Sequence, residues 1–581
     1  MTVKKRSRSP SLPLHDPQHS SPKKTRVSST LVPTFTPVKI ASAETAAAVD
    51  AQPPLLKLLN CVATRAAKPA KGDSVVYWMR MGDLRIYDNR ALSLASKQAK
   101  KDNLPLIVLF ILSPQDYIAH DRGAKRIDFT LRNLAIIQEA LSKLDIPLKV
   151  ITHPVRRTLP TAAISFTESI HAKHLYGNIE YEVDELRRDI SICEIARKHG
   201  ISAQFVHNKC VVEPGVVRTK QDRAYTVYSP YQRNWISKLN DGLSHFLENC
   251  APPSPNDPSI RQNKLLSGIF DEPCPVSLAG FELSEEDKQM MQLVWPAGES
   301  VALEMLQRFL RTKARPSQLG PVDPLAPGAE ESDKKSRVAV YQDGRNRADI
   351  DSSSRLSPYL AAGVISVRAC IRATMELRKS KTVDSSRQNG MGVWVQEIAW
   401  RDFYVDILAS FPRVSMGRPF LEKYADVVWE DYQEDQPRAK KEEAKAEQGV
   451  SSLDPQDAIQ RWKDGLTGYP IVDAAMRCIK EMGWVHNRLR MIAAMFLVKD
   501  LMIDWRVGER YFMEQLMDGD LASNNGGWQW SASTGTDAAP YFRIFNPYSQ
   551  SQKADPSGEL IRRFVPELAE LKGRFIIRQP R

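Results

Sequence analysis

The sequence predicts two folded parts, an α/β N-terminal domain on a parallel Rossmann-like sheet and an all-α C-terminal domain, and three observations carry that prediction. Short, near-continuously apolar strands alternate with helical stretches between residues 72 and 210, the pattern of a parallel sheet covered on both faces. From residue 284 onward only helical signals occur. Residues 211–283 between them are rich in Pro and Asn without a long periodic segment, which reads as an interdomain linker. With 581 residues, 42% hydrophobic and 26% charged, the chain has ample material for such cores. Global disorder and a disulfide-stapled miniprotein are excluded.

Taken in order, residues 1–71 are rich in Ser, Pro and Ala and lack the apolar periodicity of a core, so a disordered basic tail is expected. Its clusters Lys4-Lys5-Arg6-Ser7-Arg8 and Lys23-Lys24-Thr25-Arg26 have the composition of nuclear import signals, and its scarcity of acids also suits a mitochondrial presequence. A generic basic arm is the plainer alternative. The α/β part, residues 72–210, shows strands at Val75–Trp78, Leu106–Ile111, Leu148–Ile151 and Ala203–Val206, with helices at Arg126–Leu144 and Val183–His199. No Gly-x-Gly-x-x-Gly follows the first strand, so a dinucleotide pyrophosphate site there has no support. The all-α part, residues 284–581, predicts helices at Leu303–Arg311, Pro358–Leu377, Val393–Ser410, Asp457–Trp462, Ile471–Met482, Arg488–Asp504 and Gly508–Met517. The hydrophilic inserts Pro321–Lys335 and Glu434–Gly449 read as surface loops.

Composition narrows the function. Lys and Arg number 81 against 69 Asp and Glu, a net charge of +12 that suggests an anionic partner, nucleic acid first. Seven scattered cysteines without a Cys-x-x-Cys pair read as a reduced intracellular protein lacking a zinc finger. After His245 the sequence holds one further histidine, His486, so neither a Ser-His-Asp triad nor a metal site is expected in the C-terminal half. No apolar run approaches the length of a membrane span, and a soluble protein without membrane contact is expected.

Eight of the eleven tryptophans fall within residues 391–530. Core packing explains any one of them, whereas a cluster of indoles suits a flat ligand or electron hopping. In Trp394-Val395-Gln396-Glu397-Ile398-Ala399-Trp400-Arg401, helical spacing puts Trp394, Glu397, Trp400 and Arg401 on one face. A carboxylate between two indoles is costly in a dry core but useful in a cavity, where it can donate a proton or hydrogen bond; pairing with Arg401 at i+4 is the structural alternative. Asn487 and Met491 lie one turn apart, offering an amide and a polarizable thioether. The run Asp518-Gly519-Asp520-Leu521-Ala522-Ser523-Asn524-Asn525-Gly526-Gly527-Trp528-Gln529-Trp530 combines acids, amides, paired glycines and two indoles. Ser352 to Ser357 offer hydroxyls and N–H groups ahead of Pro358, a good place for a phosphate.

At these residues the sequence resembles the photolyase/cryptochrome flavoproteins, most closely the class I cyclobutane pyrimidine dimer photolyases of fungal type. Trp78-Met79-Arg80-Met81-Gly82-Asp83-Leu84-Arg85, Thr467-Gly468-Tyr469-Pro470 and Asp518 to Trp530 carry the resemblance, which runs from about residue 73 to 575. It implies an antenna domain followed by a helical domain holding a U-shaped FAD. Tyr341, Ser353, Ser354, Arg355, Leu356, Ser357 and Trp394 would hold the cofactor, Asp518, Gly519 and Asp520 would face flavin and adenine, Arg490 would pair with Asp518, and Asn524 would lie near flavin N5. The lesion would flip into a pocket walled by Trp400 and Trp530 and contacted by Glu397, Asn487 and Met491. Arg345, Arg401, Arg488, Arg543 and Gln550 match positions that grip the DNA strand. Trp528, Trp505 and Trp429, the last outermost, match the chain that reduces oxidised flavin in light.

The resemblance also implies an activity: light-driven splitting of cyclobutane dimers in UV-damaged DNA by a monomeric, nuclear enzyme, with mitochondrial targeting as the second destination. A (6-4) photolyase would carry a histidine pair near Asn487, and cryptochromes often replace Asn524 and extend the C-terminus, so repair is favoured over a photoreceptor role. A helical nucleic-acid-binding protein without redox chemistry is the third reading. The antenna chromophore would lie near Asp184 and Glu185; Asp184 stands where folate-type bacterial relatives have Asn. 5,10-Methenyltetrahydrofolate is the expected antenna and 8-hydroxydeazaflavin the alternative.

Overall fold

The structure, a computed structural model, describes residues 40–64, 72–430 and 454–571. The basic clusters of the tail and the Glu434–Gly449 insert lie outside the described residues.

Five parallel strands form one sheet in the order β3-β2-β1-β4-β5, with β1 Ser74–Met79, β2 Leu106–Leu112, β3 Leu148–Thr152, β4 Ala172–Asn178 and β5 Ser202–Val206. All residues of β1 and β2 are buried, as continuous apolar strands in a doubly covered sheet must be. The period of two then divides them between two cores. Val75, Tyr77, Met79, Val108 and Phe110 face a large core shared with the helical domain, while Val76, Trp78, Ile107 and Leu109 face a second one. The sheet is therefore the common wall of both cores.

Three expectations are corrected. Residues 40–64 are folded, contrary to the disordered tail expected across 1–71. Ser42 accepts the Thr45 N–H to cap the helix Ala43–Ala51, and Pro54 opens the helix Pro54–Ala63, which buries Leu55 and Leu58. The second helix packs on the Val183–Lys198 helix of the α/β domain, while Asp50 accepts the Arg413 N–H at 3.1 Å and Ala41 donates to the Met416 carbonyl at 3.1 Å in the helical domain. The linker of 211–283 contains the helix Tyr228–Asp241, whose fully buried Trp235 donates to Asp402 at 3.0 Å. The helix expected over Pro358–Leu377 is broken into Ser357–Ala361 and Val367–Arg378. Gly363 lies in the break at φ +67°, with Gly82 so close that a Cβ would stand 1.7 Å from its carbonyl oxygen.

That close approach belongs to a broad domain junction. Leu84 donates to the Ala362 carbonyl at 3.1 Å and Arg85 to that of Gly363 at 2.8 Å. From the Ala124–Ser142 helix, buried Arg126 reaches the carbonyls of Met517 and Gly519 and that of Ala361, each at 3.0 Å. Burial pushes its guanidinium down to about 9, and carbonyls take both of its terminal nitrogens in place of a carboxylate, while Nε has no partner among the described residues. Arg122 adds a 2.6 Å bond to the Gly519 carbonyl. On the other flank, Asp88 accepts from Arg368 and Arg372, each at 2.8 Å. Arg126→Ala should cost about 3 kcal/mol, since buried carbonyls lose charged donors. Thermal unfolding should then start at a lower temperature; an unshifted transition would show that Arg126 does not fasten the junction.

Candidate functional site

The helix Gly390–Ser410 carries the first half of the site. Gly390 and Gly392 let its start press against the backbone of Val338 and Ser386, where any Cβ would collide. Buried Trp394 meets Phe309 edge-on at 4.9 Å and Tyr341 at 6.2 Å, and its Nε1 has no hydrogen-bond partner among the described residues. Glu397 does not pair with Arg401. Its Oε1 lies 2.7 Å from Arg345 Nη2, close but not aligned for a hydrogen bond. Burial raises the Glu397 carboxyl above the ordinary value, against the pull of Arg345 and Arg488. Trp400, half-buried, stacks face to face on Tyr228 with centroids 3.5 Å apart and planes 8° apart.

Arg401 departs from its expected place on a DNA-facing surface. It donates to the Lys209 carbonyl at 2.5 Å and lines a cavity at the domain junction with Lys209, Arg126 and Asp520. Its helical angle explains this, because i+7 from Trp394 returns to nearly the same side as Trp394 itself.

The turn Asp518-Gly519-Asp520 is held from several directions. Arg490 grips Asp518 with two bonds of 3.1 and 2.7 Å, as expected. Lys209 Nζ lies 2.5 Å from Asp520, which also accepts the Ser523 N–H to cap the helix Leu521–Ala532. Burial alone would raise the Asp520 carboxyl, but Lys209 and then Arg401 hold it well below the usual carboxylate range. Gly519 offers its carbonyl to Arg122 and Arg126. Asn524 donates to the Glu509 carbonyl at 2.9 Å.

His486 is buried and caps the helix Asn487–Met495. Burial, with Arg488 and Arg490 alongside, pushes its imidazole down to about 3, so it is neutral and accepts the Arg488 N–H. Asn487 is exposed and Met491 half-buried, while Arg488 bonds Asn346 at 2.6 Å. Trp530, half-buried, meets Phe545 edge-on at 6.5 Å. Beside it Tyr541 and Phe542 are each 72% exposed, an aromatic surface that the sequence reading missed, and Arg543 between them and Ile544 is also exposed. Gln550 is half-buried in the helix Pro547–Ala554.

The serine-rich loop is a rigid turn. Arg355, at φ +52°, points inward, bonds Asp351 at 2.9 Å and covers the ring of Trp484, whose Nε1 donates to Ser357 Oγ at 3.0 Å. Its guanidinium is thus committed to the protein, and Ser354 Oγ accepts the Leu356 N–H at 3.3 Å, leaving the hydroxyls of Ser353 and Ser354 for a ligand. Among the three indoles expected to relay electrons, Trp528 is buried against Phe512 at 4.9 Å and Trp462 at 6.1 Å. Gly508 makes room for it: a Cβ there would sit 2.0 Å from the indole. Trp505 lies buried under Arg506, Trp429 is buried too, and neither stacks on Trp528 among the described residues.

The antenna candidates part company. Exposed Asp184 bonds Arg156 at 2.8 Å, whereas buried Glu185 faces His120 Nε2 at 3.2 Å and keeps Oε2 without a partner among the described residues. Burial pushes the Glu185 carboxyl up to about 7, though His120 draws it down. Sequence reasoning missed His120, Asp116 and Arg156, which come from distant segments without a motif of their own.

With this geometry established, comparison with known proteins assigns the class. Residues 394–581 match the FAD binding domain of DNA photolyase, and residues 75–255 match the DNA photolyase domain. The chain belongs to the DNA photolyase family. The deoxyribodipyrimidine photo-lyase of Neurospora crassa is 38% identical over 518 residues, covering 88% of this chain and 76% of that one. The mitochondrial deoxyribodipyrimidine photo-lyase of Saccharomyces cerevisiae is 31% identical over 520 residues, covering 85% and 81%. The crystal structure of a class III photolyase from Agrobacterium tumefaciens superposes with a TM-score of 0.67 at 28% identity, covering 89% of this chain and 92% of that one.

The Lys209–Asp520 pair sets an acid limit. A depressed folded-state pKa contributes stability above the ordinary aspartate range, and that contribution is lost as pH falls through the folded value. Lys209→Met removes the nearer cation and should move the acid-unfolding midpoint upward in a near-UV dichroism titration. An unmoved midpoint would mean that Asp520 does not draw its low pKa from Lys209.

Proposed function

We propose that this protein is a deoxyribodipyrimidine photo-lyase that splits cyclobutane pyrimidine dimers in UV-damaged DNA, acting as a monomer. The observation that carries this reading is the placement of Glu397 and Trp400 on one helix that also carries Trp394, packed against Phe309 and Tyr341, and Arg401, which lines a cavity with Gly519 and Asp520. A cofactor pocket and a lesion pocket would then share one wall.

The residues fit FAD. Trp394 leaves a buried indole N–H unpartnered, the Ser353–Ser357 turn offers hydroxyls and backbone donors, and the Arg490–Asp518 pair fixes a carboxylate beside them. Reduced FAD, when bound, supplies the electron that blue light drives into the lesion. The chain's own work is positional and electrostatic. Trp400 and Trp530 stack the extruded bases, which cannot be reached inside the duplex. Glu397, its carboxyl raised by burial, donates a proton or hydrogen bond to a pyrimidine carbonyl as negative charge grows there, and Asn487 adds an amide. Arg345 grips a phosphate; in doing so it leaves Glu397, which then holds its proton more firmly. Arg488, Arg543 and Gln550 extend the strand contact, and Tyr541 and Phe542 give the displaced strand an apolar face. Trp528, Trp505 and Trp429 relay electrons between the surface and the cofactor site, serving activation and leaving repair itself to the pocket.

For the antenna we favour methenyltetrahydrofolate at Glu185, whose unpartnered buried oxygen suits an N–H donor of a pterin. The charged cavity at the domain junction supports 8-hydroxydeazaflavin as the second choice. The basic clusters of the tail support nuclear import, and the name of the yeast relative supports mitochondrial import as well.

The decisive test is repair of a thymine-dimer oligonucleotide by reduced protein in blue light and in the dark. Light-dependent recovery of intact thymines is expected; none, despite normal photoreduction of bound FAD, would move the protein to a receptor role. For the antenna, Glu185→Ala should remove near-ultraviolet absorption beyond that of FAD while FAD content holds. Retention of that absorption would turn attention to the junction cavity.

A further inference from the structure

Tyr228 is a buried aromatic in residues 211–283, between the two domains in sequence. It opens the helix Tyr228–Asp241, and its hydroxyl and backbone both reach residues beside the site. Its hydroxyl donates to the Gln396 carbonyl at 2.8 Å, one turn before Trp400 on the same helix. Its ring lies flat on the Trp400 indole at 3.5 Å, and Phe403 stands edge-on to both, 5.8 Å from Tyr228 and 5.7 Å from Trp400. Its backbone also engages Asp537, at the start of the segment leading to Tyr541 and Phe542. The stack covers one face of the indole, and Tyr404 also stacks against it, 5.6 Å away at 30°, so a base can use only what those two rings leave open.

We infer that Tyr228 is a positioning residue for lesion binding: it fixes the plane of Trp400 so that the part of the indole left open by Tyr228 and Tyr404 is presented to the extruded pyrimidines. This rests on the reading of Trp400 as a wall of the lesion pocket. An unsupported indole would turn about its side-chain torsions, and ordering it on binding would then oppose affinity. A flat aromatic pair contributes beyond its buried area, and loss of that contribution corresponds to about a tenfold change in equilibrium.

The test is a cycle of FAD-loaded variants measured for binding to dimer-containing and undamaged oligonucleotides. Tyr228→Leu should lower the preference for damaged DNA about tenfold. Tyr228→Phe keeps the stack and should retain the preference, whereas a merely structural hydroxyl bond would make Phe as poor as Leu. Trp400→Leu should abolish most of the preference, and the double variant should lose no more than Trp400→Leu alone. Repair per absorbed photon at saturating DNA should be unchanged in Tyr228→Leu while KM rises. If Tyr228→Leu does not load FAD, Tyr228→Met, which fills more of the space without a ring, takes its place in the cycle. An unchanged preference in Tyr228→Leu, or losses that add in full, overturns the inference while the pocket stands. An unchanged preference in Trp400→Leu overturns the pocket reading and the inference together.

Discussion

The site depends on how one short turn is held under charge. Met517, Gly519 and Asp520 receive Arg122, Arg126 and Lys209, all from before residue 210, while Asp518 receives Arg490 from within the helical domain. Buried cations persist only when hydrogen-bonded, and here the partners are mostly backbone carbonyls, whose direction is fixed by the chain. The turn is therefore anchored against both domains. The helix that Asp520 caps carries Asn524, Trp528 and Trp530 at set positions along its axis. A shift between the domains would move all three together.

Aromatic packing supplies the second constraint. Trp528 takes the space left by Gly508, Tyr404 closes on Gly526, and Tyr228 lies on Trp400, so each indole is seated by a partner or a missing Cβ. Rings packed so closely leave little rotational freedom, and orientation is what both stacking and electron relay require. Charge is kept to the edges of this arrangement, at Glu397 with Arg345 and at Asp518 with Arg490.

Much of this was legible in the sequence where local pattern and tertiary role coincide. The apolar runs of β1, β2 and β3 fall where expected, and the Gly390–Ser410 helix and the Arg490–Asp518 pair do as well. Strand β4 was missed because Lys173, His174 and Asn178 break its apolar pattern, although Asn178 is buried to bond the Ala91 N–H. The Pro54–Ala63 helix carries Leu55, Leu58 and Leu59 at helical spacing, a signal lost in the surrounding Ser- and Pro-rich composition. Arg401 was read with its neighbours' DNA role because spacing gives a face and not what lies opposite it. Tyr228 and the His120–Glu185 contact had no signature at all; chain segments remote in sequence create them.

The folded N-terminal helices bear on where the chain can be cut. Proteases cut where the backbone is exposed and poorly tied down. A cut ahead of Ile40 leaves the contacts of Ala41, Asp50 and Leu58 intact, whereas a cut within Ala43–Ala51 would strip Ala41 from Met416 and loosen the hold on Arg413. The described fold is thus held from about residue 40 onward, and forms of the chain differing only upstream of it would keep the same contacts.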